Sequence, residues 1–302
     1  MTTILTGASG FIGGRVAHLL KTRGERVIAI GRSGATGLPF RTINLLTEDP
    51  RPLLAVLAPT RLMHLAWNAD RSTIWNGTEN LAWVAATLRL VLAFREAGGQ
   101  RAVLAGSSAE YDWSHEHLEE GTTPLAPHTG YGTAKRALHD LLFGTPALAP
   151  MSIGWARIFF PFGPGDKTDR LLSQVIDGVV AGRPVALSAG EQIRPFIHVD
   201  DVAAALVALL DSPVEGAVNV ALNETVSVRD LALMAAGEVG DTGLLRFGGR
   251  SFQPGEPKVM QAAVSRLSDE VGFRPRYTIR TGVTATVADR LISVHDAKES
   301  NT

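Results

Sequence analysis

The 302-residue sequence predicts an α/β protein built on a doubly wound parallel sheet. Three observations point to it. Short apolar runs alternate with segments of helical period. A glycine turn, Thr6–Gly13, separates the first such run from the first helical segment. Glycine is in excess, 31 of 302 or about 10%, against a usual ~7%; without repeats, such an excess marks places where backbone turns tightly or approaches something closely.

The elements follow in order. Thr3–Thr6 reads as a strand and Phe11–Arg23 as a helix, then Arg26–Ile30 and Arg61–Ala66 as strands. A long helix is expected over Trp75–Ala97. Ala102–Ser107 is a strand, Tyr131–Phe143 a helix and Ser152–Phe159 a strand. Val199–Leu210 reads as a helix and Ala217–Ala221 as a strand. The second half is less regular, with helical runs near Arg170–Ala181, Ser227–Val239, Val264–Val271 and Thr281–Leu291 and a Gly/Pro loop between Phe247 and Pro257. The expected organisation is a nucleotide-binding domain over residues 1–160, to which 195–222 return. A smaller C-terminal substrate-binding lobe takes 161–194 and 223–295, and 296–302 form a frayed tail. Ligands of such sheets sit beyond the carboxyl ends of the strands.

Composition narrows the chemistry. There is no cysteine, which excludes disulfides, thiolate metal sites and a cysteine nucleophile. His115, His117 and His128 share a loop but lack a rigid metal-binding spacing, so no metal is expected. A net charge of −1 offers no basic field for nucleic acid or a membrane surface. No apolar run reaches the ~18 residues of a spanning helix, and no secretory leader is apparent; a cytoplasmic protein is expected.

The turn Thr6-Gly7-Ala8-Ser9-Gly10-Phe11-Ile12-Gly13 follows a strand and opens a helix, the context of a dinucleotide fingerprint. Gly7 suits the tight turn, Gly10 the approach of backbone N–H groups to a pyrophosphate, and Gly13 close helix–sheet packing. The helix N-terminus adds partial positive charge. At the end of the second strand stands Gly31-Arg32-Ser33, with no carboxylate for a ribose 2′-hydroxyl. Arg32 suits a 2′-phosphate, so NADP is expected, with NAD as the alternative.

Tyr131 and Lys135 are i and i+4 on one helix face, where an ammonium would favour phenolate and tune Tyr131 for acid–base work. The strand Ala102–Gly106 ends at Ser107 and Ser108. Ser108 is the first candidate to hold a substrate oxygen, and Ser107 the second.

Seven stretches, TGASGFIG, HLA (His64–Ala66), NGTEN (Asn76–Asn80), SSAEY (Ser107–Tyr111), PHTGYGTAK (Pro127–Lys135), ARIFFPFGPG (Ala156–Gly165) and RPFIHVDD (Arg194–Asp201), stand in order from residue 2 to about 205. Together they resemble the extended short-chain dehydrogenase/reductase family of nucleotide-sugar enzymes, with its Rossmann sheet. Pro254–Pro257 and Gly272–Arg276 fit that family's usual ending. The resemblance implies a Ser-Tyr-Lys mechanism. Tyr131 exchanges a proton with a sugar hydroxyl or ketone, Ser108 holds that oxygen, and nicotinamide exchanges a hydride at the same carbon. It also implies that Lys135 touches the nicotinamide ribose, that Ala66 lines the cofactor, and that Asn80 lies beside the active site. A homodimer through the helices at Trp75–Ala97 and Tyr131–Phe143 is expected.

Dehydratases of the family carry an Asp-Glu pair that is incomplete here, since Ala109 precedes Glu110; Glu110 remains a catalytic candidate of the reductase type. NADPH-dependent reduction of a keto sugar, in the first place a 4-keto-6-deoxy nucleotide sugar, ranks first. A 4-epimerase with retained NAD ranks second. A non-catalytic NADP-sensing regulator is the reading from another class. Two phosphate-binding positions of the family depart from its pattern. Phe160 stands for an Asn and Gln253 for an Arg. Arg194, and nearby Arg250, are the remaining candidates for a diphosphate. The partner expected is a small carbohydrate.

Overall fold

A computed structural model describes residues 1–34, 37–70, 72–249 and 257–299, with side chains as far as Ser293. Seven parallel strands form the central sheet: β1 (Thr2–Thr6), β2 (Arg26–Gly31), β3 (Phe40–Thr42), β4 (Arg61–His64), β5 (Arg101–Ser107), β6 (Ser152–Ile158) and β7 (Gly216–Val220). Their spatial order is β7-β6-β5-β4-β1-β2-β3. The winding reverses between β1 and β4, which pair directly, Thr6 opposite His64. A crevice therefore opens beyond the carboxyl ends of these two strands, which carry Gly7 and Leu65–Trp67.

Side chains alternate along each strand, so the sheet buries two apolar cores. On one face Leu5, Val103 and Ala156 meet α1 (Phe11–Thr22) and α6 (Val199–Asp211). On the other Ile4, Ala102, Leu104 and Trp155 meet α2 (Arg51–Leu57), α3 (Glu79–Glu96) and α4 (Gly130–Phe143). Helices α5 (Leu171–Val180), α7 (Val228–Val239) and α8 (Ile279–Glu299) extend the first core. Two-residue strand pairs tie this region together, including Ile193–Arg194 against Val226–Ser227 and Gln261–Ala262 against His117–Leu118.

The expected elements are present with two shifts. The long helix begins at Glu79, not Trp75, because Gly77 closes a turn on Thr73 (N–H to carbonyl, 2.7 Å) before the helix starts. The C-terminal helix runs on to Glu299 and includes 296–299, which the sequence reading places in a frayed tail; Ala297, Lys298 and Glu299 are strong helix formers. The strand β3 and helix α2 were not foreseen. Among the described residues no helix is long and apolar enough to cross a membrane.

Candidate active site

The glycine turn lies at the carboxyl end of β1. Gly7 has φ +71°, and a Cβ there would stand 2.7 Å from the backbone N of Ala66, so turn and β4 end meet at a distance only glycine permits. A Cβ on Gly13 would stand 2.0 Å from the Gly7 carbonyl oxygen, which is how α1 comes to sit directly on the turn. Gly10 caps α1 with extended backbone, and among the described residues no side chain caps the N–H groups of its first turn. This cradle, open to an anion, fits the pyrophosphate of a dinucleotide. Ser9 and Gly10 are exposed and Phe11 and Ile12 half-buried. Arg32 and Ser33 follow β2 and are exposed, beside the strand that bears the turn.

His64 ties the neighbouring loop to this cradle. Its Nδ1 lies 2.7 Å from the Thr6 hydroxyl and its Nε2 2.9 Å from that of Thr87. The Thr6 oxygen also accepts from the backbone N–H groups of Leu65 and Ala66. Burial, then the Lys135 charge, push the His64 imidazole down to about 3, so it is neutral.

Tyr131 and Lys135 enter from α4, whose N-terminus is capped by the Thr129 hydroxyl accepting from Gly132 N–H. A Cβ on Gly132 would lie 2.1 Å from the Ala109 carbonyl oxygen; its absence lets α4 press against the turn after β5. The Tyr131 hydroxyl thereby reaches the Ser107 side chain. Lys135 is 3% exposed. Its ammonium donates to the Ala105 carbonyl (2.7 Å) and sits 3.5 Å from the centroid of the Trp67 ring. Trp67 and Trp75 both set their rings edge-on to Tyr131, at 6.3 and 5.9 Å between centroids.

The electrostatics differ from the sequence expectation of a phenolate promoted by the ammonium. Burial pushes Tyr131 up to about 12, the bond to Ser107 opposing it. Burial pushes Lys135 down to about 7, the Glu110 carboxylate opposing it. Dehydration outweighs the pairing, and Tyr131 is a neutral phenol.

The structure reassigns several residues. Ser107, not Ser108, presents the hydroxyl to Tyr131. Ser108 begins the 3₁₀ turn Ser108–Glu110, is buried, and its carbonyl accepts from Trp113 Nε1 and Tyr111 N–H. Glu110 does not face the site. The turn curls its fully buried carboxylate back under β5, where it accepts from Ser107 N–H (2.7 Å), Trp155 Nε1 (3.0 Å) and Arg157 Nε (2.8 Å). Asn80 is likewise internal. Its Nδ2 donates to the carbonyls of Ile74 and Gly77, and its Oδ1 accepts from Trp67 Nε1 (2.9 Å). Arg194, 2% exposed, donates to the carbonyls of Ile193, Pro257 and Lys258 and lies 5.4 Å from the Phe160 ring. Its guanidinium secures the chain at Pro257 where the sequence reading gave it to a diphosphate. Phe160 packs between two apolar cores and crosses Phe196 edge-on. Arg250 and Gln253 lie outside the described residues. Trp67 was not foreseen as a site residue; its place directly after HLA, at the carboxyl end of β4, is the signal that could have found it.

A profile of the "NAD dependent epimerase/dehydratase family" matches residues 3–223. The dTDP-4-dehydro-6-deoxy-D-allose reductase of Streptomyces bikiniensis is 28% identical over 321 residues, covering 94% of each chain. The UDP-glucuronate 4-epimerase of Thermodesulfobacterium geofontis is 23% identical, again over 94% of each. The solved structure of MoeE5 in complex with UDP-glucuronic acid and NAD matches with a TM-score of 0.83 at 28% identity, covering 97% of this chain and 100% of that one. The UDP-N-acetylglucosamine 4-epimerase of Methanobrevibacter ruminantium M1 shares the fold, at a TM-score of 0.85, 21% identity and coverage of 97% and 98%. With its glycine cradle, its tyrosine–lysine helix and a family match over most of its length, the chain belongs to the NAD dependent epimerase/dehydratase family.

Proposed function

We propose that the protein reduces the keto group of a 4-keto-6-deoxy nucleotide sugar with NADPH. The observation that carries this reading is the convergence of the Tyr131 phenol, the Ser107 hydroxyl and the Lys135 ammonium at the carboxyl ends of the central strands, beside the glycine cradle. Ser107 holds the substrate carbonyl oxygen, and Tyr131 donates its phenolic proton to that oxygen as it becomes an alkoxide. A phenol held neutral up to about 12 is a proton donor throughout the neutral range, which suits net reduction. Lys135 supplies positive charge as the phenol loses its proton. When bound, the nicotinamide supplies the hydride. The nucleotide-sugar substrate and the reductase direction draw support from the reductase relative.

Arg32 supports NADPH over NADH, being exposed after β2 with no carboxylate beside it in sequence. The test is a paired binding titration with both cofactors. Arg32→Ser is expected to weaken NADPH at least tenfold and leave NADH within twofold; tighter NADH binding by the unaltered protein contradicts the assignment.

Epimerisation with retained NAD is the second reading, supported by the 4-epimerase relatives. Nicotinamide absorbance in the protein as purified, together with interconversion of a UDP-hexose without added cofactor, favours it over reduction.

A further inference from the structure

Lys135 is held by a residue to which neither motif nor mechanism assigns a role. We infer that Trp67 is a positioning residue for the acid–base site, its indole face seating the Lys135 ammonium and Asn80 fixing the indole. This rests on the reading of Lys135 as part of that site.

The geometry runs through four contacts of the Trp67 ring. Asn80 Oδ1 accepts from Trp67 Nε1 at 2.9 Å, and its amide nitrogen is anchored on the carbonyls of Ile74 and Gly77. Stacking on Trp83, 6.1 Å between centroids, supports the ring from one side. The Lys135 ammonium stands 3.5 Å from the Trp67 centroid, within cation–π range, with the Ala105 carbonyl as its hydrogen-bond acceptor. The same indole meets Tyr131 edge-on, so one ring touches both halves of the pair. Trp67 follows β4 and Lys135 lies on α4; the contact therefore also joins the glycine-cradle side of the crevice to the proton-transfer side.

The consequence is electrostatic. A buried ammonium with one carbonyl acceptor loses hydration on its other faces, and an aromatic face returns part of that attraction. The titratable groups around it are Glu110 below, from the turn after β5; His64 on β4; and Tyr131 on its own helix. Among the described residues only Glu110 opposes the drop of Lys135 toward neutrality through charge, and Trp67 adds a neutral face that does so without a counter-ion.

The sequence contains five lysines, so each ε-carbon can be followed in the intact protein by ¹³C-lysine NMR, Lys135 being assigned with Lys135→Arg. The pH titration of that signal is compared for the unaltered protein, Trp67→Phe and Trp67→Leu. Trp67→Phe, which keeps an aromatic face, is expected to stay within a few tenths of a pH unit. Trp67→Leu is expected to fall by about one unit, tenfold in proton dissociation. A Trp67→Leu midpoint equal to or above that of the unaltered protein overturns the inference, as does an equal fall in Trp67→Phe. The titration needs no turnover, so absence of sugar reduction would count against the proposed function and leave this result standing.

Discussion

Removing Arg157 isolates a buried charge directly under the candidate active site. Arg157 and Glu110 are 2% and 0% exposed. Arg157→Leu deletes the 2.8 Å bond from Nε to the carboxylate and the 3.1 Å bond from Nη1 to the Tyr111 hydroxyl. A bond to a charged group contributes ~1.5–3 kcal/mol and a neutral one ~0.5–1.5, which sum to ~2–4.5. That agrees with the ~3–5 kcal/mol typical of breaking a buried pair from one side. At ~2 °C per kcal/mol for a chain somewhat above the tabulated sizes, the melting temperature should fall by ~6–10 °C. The assay is calorimetric or circular-dichroism melting at neutral pH. Much of the penalty is the unpaired carboxylate, so the double variant Glu110→Leu/Arg157→Leu should recover part of the loss. A single-variant loss below ~1 kcal/mol, or simple additivity in the double variant, refutes the view that this pair is a mutually dependent support for Ser107.

Two further outcomes follow from the same geometry. Gly13→Ala places a Cβ 2.0 Å from the Gly7 carbonyl oxygen; the turn must deform, and affinity for either nicotinamide cofactor, read by fluorescence titration, should drop at least tenfold while Gly14→Ala, 3.7 Å from its nearest neighbour, changes it little. His64 is depressed from 6.5 to about 3, so between these values the unfolded chain binds the extra proton and stability is lost as pH falls below 6.5. The loss attributable to it should reach ~3 kcal/mol by pH 4, and His64→Gln should flatten that slope in urea unfolding; an unchanged slope assigns the acid sensitivity elsewhere.

How far the sequence could be read follows from the reach of each signal. The glycine turn and the Tyr131–Lys135 pair are local devices whose geometry is set by a few consecutive residues, and both stand where the pattern put them. The doubly wound sheet was legible for a related reason: its strands are apolar runs bounded by turns. Arg194 and Glu110 are polar side chains drawn inward by partners that no local pattern reveals, whereas Asn80 stands one contact behind Tyr131 and Lys135, through Trp67. Arg194 meets carbonyls more than sixty residues away, at Pro257 and Lys258. Glu110 meets Trp155 and Arg157 on the next strand. Whether a strand-end serine faces a ligand depends on one residue of register. The 3₁₀ turn after β5 leaves the Ser107 side chain toward Tyr131 and folds Ser108 inward. The expectation that Lys135 makes Tyr131 a phenolate counted charges but could not count burial, which dominates both groups here.

The central claim is that Tyr131 delivers the proton in a hydride-transfer reaction. The direct measurement is NADPH oxidation by the purified protein across a panel of 4-keto-6-deoxy nucleotide sugars, with Tyr131→Phe assayed on whichever sugar is turned over. The account predicts a fall in kcat of ~10²–10⁴ with NADPH affinity within twofold, since the ring and its contacts with Trp67 and Trp75 remain. Turnover by Tyr131→Phe equal to that of the unaltered protein would contradict it.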